Sequence, residues 1–186
     1  MKTLILLIFL LVPAQLWAFN PLVVCSGEPA AAASCATCSE DQASTDGTTN
    51  NDIIANATGQ SFQVSKNGTL CYIDIYMAYI QDNSQIEVRW GNTANLTEYQ
   101  ASKILTFTST DDVQYQRFTF DTKANVSTGT TYYLGVVKNS GTTVISKRNN
   151  VGTYANGNLY NALSAGWNMN NSSVTYDFNF KVGLCD

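Results

Sequence analysis

Near its end the chain alternates strictly. Over residues 174–182, Tyr176, Phe178, Phe180 and Val182 are apolar, and Asp177, Asn179 and Lys181 between them are polar. This period of two marks a strand with one face in a core and one in water. The same period recurs over 85–90, where Ile86, Val88 and Trp90 alternate with Gln85, Glu87 and Arg89. Over 69–80 it places Ile73, Ile75, Met77 and Tyr79 on one face and Asp74 on the other. Shorter strand-like stretches cover 59–64, 104–109, 115–120 and 143–147. The run 131–138 is mostly apolar and reads as a strand buried on both faces. All three prolines lie at or before Pro29, so none blocks a ladder hydrogen bond in this region. Turn pieces punctuate it at Asn67-Gly68, Ser140-Gly141 and Asn156-Gly157. With no amphipathic helix in sight, the pattern predicts an all-β antiparallel sandwich of about eight strands.

The beginning of the chain reads differently. Lys2 precedes an apolar run from Leu4 to Val12, Pro13 breaks that run, and Ala18 offers a small residue for cleavage. This is the layout of a secretory signal peptide over residues 1–18. The run is too short for a membrane-spanning helix, which needs roughly 20 apolar residues. Cleavage after Ala18 starts the mature chain at Phe19; cleavage after Ala14 is the alternative. The localisation expected is secreted, extracellular or at the cell surface. Residues 19–57 form a Cys-containing segment or linker with little periodicity, and 58–186 form the sandwich domain.

Only 13% of the residues are charged, so Asn, Thr, Ser, Gly and Tyr do most of the solvating. The formal net charge is -4, and loss of Lys2 makes it more negative. An acidic chain without a basic cluster is a poor partner for nucleic acid or an anionic membrane, and no other apolar run predicts membrane insertion. There is no histidine, which removes the commonest general base, the usual Ser-His and Cys-His nucleophile pairs and most zinc enzymes. No paired carboxylates at strand spacing suggest a glycosidase; Glu87 sits on the polar face of its strand. The expectation is a protein that is not an enzyme.

The order of motifs adds to this reading. Gly59-Gln60-Ser61-Phe62 is followed by Gly68-Thr69-Leu70 and Ile73-Asp74-Ile75, then by Gly129-Thr130-Thr131-Tyr132-Tyr133-Leu134. A Tyr/Gly stretch around Tyr154, Gly157 and Tyr160 precedes Gly166-Trp167, and Tyr176-Asp177-Phe178-Asn179-Phe180-Lys181-Val182 closes the chain. Over 58–183 this order resembles the jelly-roll, galactose-binding-like β-sandwich domains of secreted prokaryotic surface proteins and extracellular enzymes. The resemblance implies a jelly-roll sandwich, usually non-catalytic, that in some members binds carbohydrate and in many holds a structural calcium ion.

Five cysteines, Cys25, Cys35, Cys38, Cys71 and Cys185, lie beyond the signal. In an exported chain they read as disulfide-bonded, with the odd one left to link a second chain. Cys71 near a strand start and Cys185 past a strand end suit antiparallel neighbours, so Cys71–Cys185 is the first pairing expected. A bridge from the tail to either residue is the rival. Cys35-Ala-Thr-Cys38 has redox-motif spacing without a redox-motif setting, and a three-thiolate zinc site with Cys25 is a further alternative.

Binding residues are sought among aromatic rings and amide side chains on loops. The stretch Tyr154-Ala155-Asn156-Gly157-Asn158-Leu159-Tyr160 is rich in both. The candidates for a carbohydrate or cell-surface ligand are Trp90, Arg148, Tyr154, Asn156, Asn158, Tyr160 and Trp167. For calcium, which takes oxygen ligands in irregular loops, they are Asp111, Asp112 and Asp177. The Asp111-Asp112 pair also reads as a plain turn, and Asp177 falls where the resembling family often has Asp. A second reading makes the protein a self-assembling subunit of a filament or matrix, in which 19–24 adds a strand to a neighbour's sheet edge.

Overall fold

The alternating residues pack as a sandwich of two antiparallel sheets. In the computed structural model, residues 37–53, 57–108, 114–141, 143–150, 152, 154–161, 166–169, 171–173 and 176–185 are described. In chain order the strands are β1 (Cys38–Ser44), β2 (Thr49–Asp52), β3 (Thr58–Gln63), β4 (Gly68–Ile80), β5 (Gln85–Gly91), β6 (Ala101–Thr106) and β7 (Gln114–Thr119). They continue with β8 (Asn125–Val126), β9 (Thr131–Ser140), β10 (Val144–Asn149), β11 (Leu159–Asn161), β12 (Asn171–Ser173), β13 (Asp177–Phe178) and β14 (Phe180–Cys185). No helix among the described residues is long and apolar enough to cross a membrane.

Among the described residues the first sheet has eight strands built around the long β4. β14 and then β10 pair along one edge of β4, and β8 and β7 along the other; β1 extends the sheet beyond β14, and β2 and β13 pair with β10. The second sheet has six strands in the order β12-β11-β3-β9-β5-β6. Their inner faces share one core, in which Ile73, Ile75 and Met77 meet Ile86, Val88, Trp90, Phe62, Leu134 and Phe180. Each such side chain, fully buried, contributes about 1.5–3 kcal/mol.

Four features depart from the sequence expectations. The strands are more numerous than expected because several are short edge pieces without alternation. β1 and β2 come from the segment read as a linker, so the sandwich begins well before residue 58. Tyr79 points outward at 41% exposure and Ile80 is buried in its place. The ladder to β10 slips between Ile145, opposite Tyr79, and Ser146, opposite Met77, so Ala78 is an extra residue that reverses the facing. Asp177 and Asn179 do lie between inward residues but are only 1% and 2% exposed, Asp177 because it bonds to Gln60 of the facing sheet and to Tyr154 N–H, Asn179 because it holds the loop at Gly47.

β9 is buried on both faces, as its apolar run predicts. Tyr132, Leu134 and Val136 face the sandwich core, while Val137 joins Ala57, Leu96 and Met169 in a small cluster on the outer side. Gly59 and Gly135, paired directly across β3 and β9, leave room for that cover. A Cβ on Gly135 would stand 2.8 Å from Leu96 Cδ1 and 3.3 Å from Met169 Sδ.

Candidate functional site

The loop from Tyr154 to Asn158 is fixed by specific contacts. Tyr154 N–H donates to Asp177 Oδ2 at 2.8 Å. Further on, Asn158 N–H donates to Ser61 Oγ and Ser61 N–H to Asn158 O, both at 2.9 Å. Gly157 lies against the Ser61 carbonyl, where a Cβ would collide. β11 then pairs with β3, which sets Tyr160 opposite Gly59.

Between this loop and the outer face of β3 and β9 lies a groove of about 380 Å³. Asn156, Asn158, Tyr160, Tyr133, Gln63 and Thr131 contribute to its lining. Tyr133 and Tyr160 meet edge to face, with ring centroids 5.5 Å apart. Burial, and then the neighbouring Tyr160, pushes the Tyr133 phenol above its usual range, so it remains a neutral hydroxyl. Gln63 Nε2 donates to Thr131 Oγ1 at 3.2 Å. The groove therefore offers two aromatic rings beside amides and hydroxyls that both donate and accept. Among the described residues, those that line it carry no carboxylate and no ammonium.

Beside it, Arg89 is clamped between two rings, with its Cζ 4.2 Å from the Trp167 centroid and 4.6 Å from that of Tyr99. Its Nε donates to Glu87 Oε1 at 2.6 Å and its Nη1 to Leu96 O at 3.2 Å. Asn139 Nδ2 holds the other Glu87 oxygen at 3.0 Å. This network secures the loop that covers the outer cluster, and it leaves one edge of the aromatic surface rigid.

Of the predicted ligand-binding residues, Asn156, Asn158 and Tyr160 come together in the groove. Trp167 is half-buried over the adjoining outer cluster. Trp90 is corrected: it is fully enclosed in the core against Phe120 and Tyr132, beyond reach of a surface ligand. Tyr154 turns inward, its ring edge-on to Phe180 at 5.3 Å, so it anchors the loop and does not line the groove. Arg148 lies on β10 in the other sheet, with its guanidinium 4.6 Å from the Tyr176 centroid, and is likewise separate from the groove.

Reasoning from sequence missed Tyr133, Gln63, Thr131 and Ser61. Alternation along β9 points Tyr133 away from Tyr132 and Leu134, and that was the available signal.

Asp177 accepts from Gln60 Nε2 at 3.1 Å and from Tyr154 N–H, so both of its oxygens are engaged within the protein. Burial outweighs these bonds and raises its carboxyl above the ordinary range. Asp111 and Asp112 lie outside the described residues.

Cys38, Cys71 and Cys185 converge from β1, β4 and β14, with all three sulfurs within 4.8 Å of one another. The ladder between β4 and β14 slips at Leu70 and Tyr72, making Cys71 the extra residue. Its Sγ is in bonding contact with both Cys38 and Cys185. One sulfur forms one disulfide, so Cys38–Cys71 and the expected Cys71–Cys185 are alternatives. Cys25 and Cys35 lie outside the described residues.

No known protein family matches the chain, and no curated protein shows significant similarity to it. The functional reading therefore rests on the groove.

Proposed function

We propose that the protein is a secreted, non-catalytic β-sandwich module of the jelly-roll, galactose-binding-like kind, and that it binds neutral carbohydrate on the outer face of its six-stranded sheet. The observation that carries this is the groove at Tyr133 and Tyr160. A sugar ring presents an apolar C–H face and a rim of hydroxyls. Tyrosine rings suit the first, and Asn156, Asn158, Gln63 and Thr131 suit the second, since each can donate and accept. The loop is held by backbone bonds to β3 and Asp177, so little ordering entropy is lost on binding.

The test is binding to neutral plant, algal and bacterial polysaccharides, with and without calcium. Retention that Tyr160→Ala weakens tenfold or more supports the reading. Failure across the whole set counts against it. A difference made by calcium would support the structural ion that the resemblance implies.

A second reading, as an assembling subunit, draws on the sheet edge. Among the described residues β1 pairs only with β14, so its other edge presents hydrogen-bonding groups that an added strand would use. Residues 19–24, the proposed donor, lie outside the described residues. Deleting them should abolish assembly without unfolding the domain if this reading holds.

A further inference from the structure

The outer face of the other sheet carries a second concavity, of about 540 Å³, lined by Tyr76, Tyr115, Lys147, Lys181 and the loop 45–48. We propose that it is a separate site for an acidic saccharide, one bearing carboxylate or sulfate groups. It shares no lining residue with the Tyr133–Tyr160 groove.

Its base is aromatic. Tyr76 and Tyr115 are directly opposed across β4 and β7, and their rings meet edge to face at 5.0 Å. Burial, reinforced by nearby acids, pushes the Tyr115 phenol up to about 12, so its hydroxyl remains a donor at neutral pH.

Two ammonium groups stand beside the rings, in different electrostatic states. Lys181 Nζ lies 4.9 Å from the Tyr115 centroid and 2.8 Å from Glu40 Oε2, which matches its charge. Lys147 Nζ donates to Thr48 O at 3.0 Å and to Asn50 Oδ1 at 2.6 Å, both neutral acceptors. An ammonium has three donors, so Lys147 brings a positive charge and a further N–H to the groove. Of the acids near Tyr115, Glu40 is paired with Lys181 at the edge of the site and Asp74 with Arg117, which leaves Lys147 as the ammonium held by neutral acceptors. Asp46 lines the neighbouring concavity beside Tyr154.

The wall is built in advance. Asn179, 2% exposed, accepts from Gly47 N–H at 2.9 Å and donates from Nδ2 to Gly47 O at 3.0 Å. A Cβ on Gly47 would stand 2.6 Å from Asn149 N, so only glycine lets the loop close there. Stacking rings beside a fixed ammonium recognise a sugar ring that carries a negative group. With a neutral-sugar groove on the opposite sheet, one molecule could hold two chains, gaining avidity and cross-linking them.

The experiment is equilibrium binding of the protein to soluble polygalacturonate, dextran sulfate, neutral dextran and poly-glutamate. The expected result is binding to polygalacturonate or dextran sulfate, the stronger of the two naming the group recognised. Lys147→Gln should weaken that binding tenfold or more, Lys147→Arg should restore most of it, and Tyr115→Phe should weaken it about threefold. Tyr160→Ala should leave it unchanged, which separates this site from the first. The proposal is overturned if neither acidic polysaccharide binds, if poly-glutamate binds equally well, or if Lys147→Gln keeps both native affinity and native melting temperature.

Discussion

Gln60 on β3 and Asp177 on β13 join the two sheets through a buried hydrogen bond of 3.1 Å from Nε2 to Oδ1. Gln60 Oε1 also accepts from Phe178 N–H at 2.9 Å. Asp177 Oδ2 in turn holds Tyr154 N–H, where the groove loop begins. One polar connection thus ties the core of the sandwich to the placement of its candidate site.

Asp177→Asn should destabilise the fold by about 1–3 kcal/mol, because an amide can accept from only one of the two donors and leaves the other unpaired. The pH dependence should change as well. Burial raises the Asp177 carboxyl above 3.8, so the folded state holds its proton more tightly than the unfolded chain. The stabilisation from this group is therefore fully present below that value and is lost as pH rises through the raised native value. Urea midpoints across the acid range should show that fall in the native protein and lack it in the variant.

Arg117 clasps Asp74 with two hydrogen bonds, from Nε and Nη2, each 2.9 Å long, and its guanidinium lies 3.6 Å from the Tyr72 centroid. The Asp74 side chain is only 6% exposed, so it depends on this partner. Arg117→Lys should cost about 1–2 kcal/mol through loss of the planar fork. Chemical denaturation of this variant, compared with Lys103→Gln, whose partner Asp121 is 87% exposed, should show the larger loss at Arg117.

Cys71 is common to both disulfide alternatives, which close separations of 33 and 114 residues. Cys71→Ser should remove both of these bridges but leave Cys38 opposite Cys185, with sulfurs 3.5 Å apart. The full cost of about 2–4 kcal/mol should therefore appear when Cys71→Ser is combined with Cys38→Ser. Cys38→Ser and Cys185→Ser should each leave the other pairing to form. Peptide mapping without reductant reads out the bridges, and melting curves read out the cost.

Gly59→Ala should be far more harmful than Gly135→Ala. At Gly59 a Cβ would collide with the carbonyl of Leu134, a backbone group. At Gly135 it would meet side chains of the outer cluster, at a cost of about 1–3 kcal/mol from overpacking. Yields of soluble protein and thermal midpoints distinguish the two.

The sandwich was legible where strands keep their period. Ile86, Val88 and Trp90 on β5, and Phe180 and Val182 on β14, are inward as alternation demands. That same alternation argued for a core Trp90, against its place among ligand-binding rings. Bulges are what period counting cannot see: Ala78 turns Tyr79 outward, and Cys71 brings a third sulfur beside Cys38 and Cys185. β1 and β2 carry polar sequences, CSEDQAS and TNND, whose pairing with β14 and β10 leaves no hydrophobic period. Half of the groove, Asn156 to Tyr160, stood out as a loop of aromatic and amide residues. The other half, Ser61, Gln63, Thr131 and Tyr133, joins it only through the pairing of β3 with β9 and β11.

The most direct measurement is a map of backbone amide chemical shifts as fragments of a neutral polysaccharide are titrated into the labelled protein. The expected changes cluster at Ser61, Gln63, Thr131, Tyr133, Asn158 and Tyr160 and disappear in Tyr160→Ala. Saturable changes confined to other surfaces, or no change with any neutral polysaccharide, would contradict the assignment of this groove as the carbohydrate site.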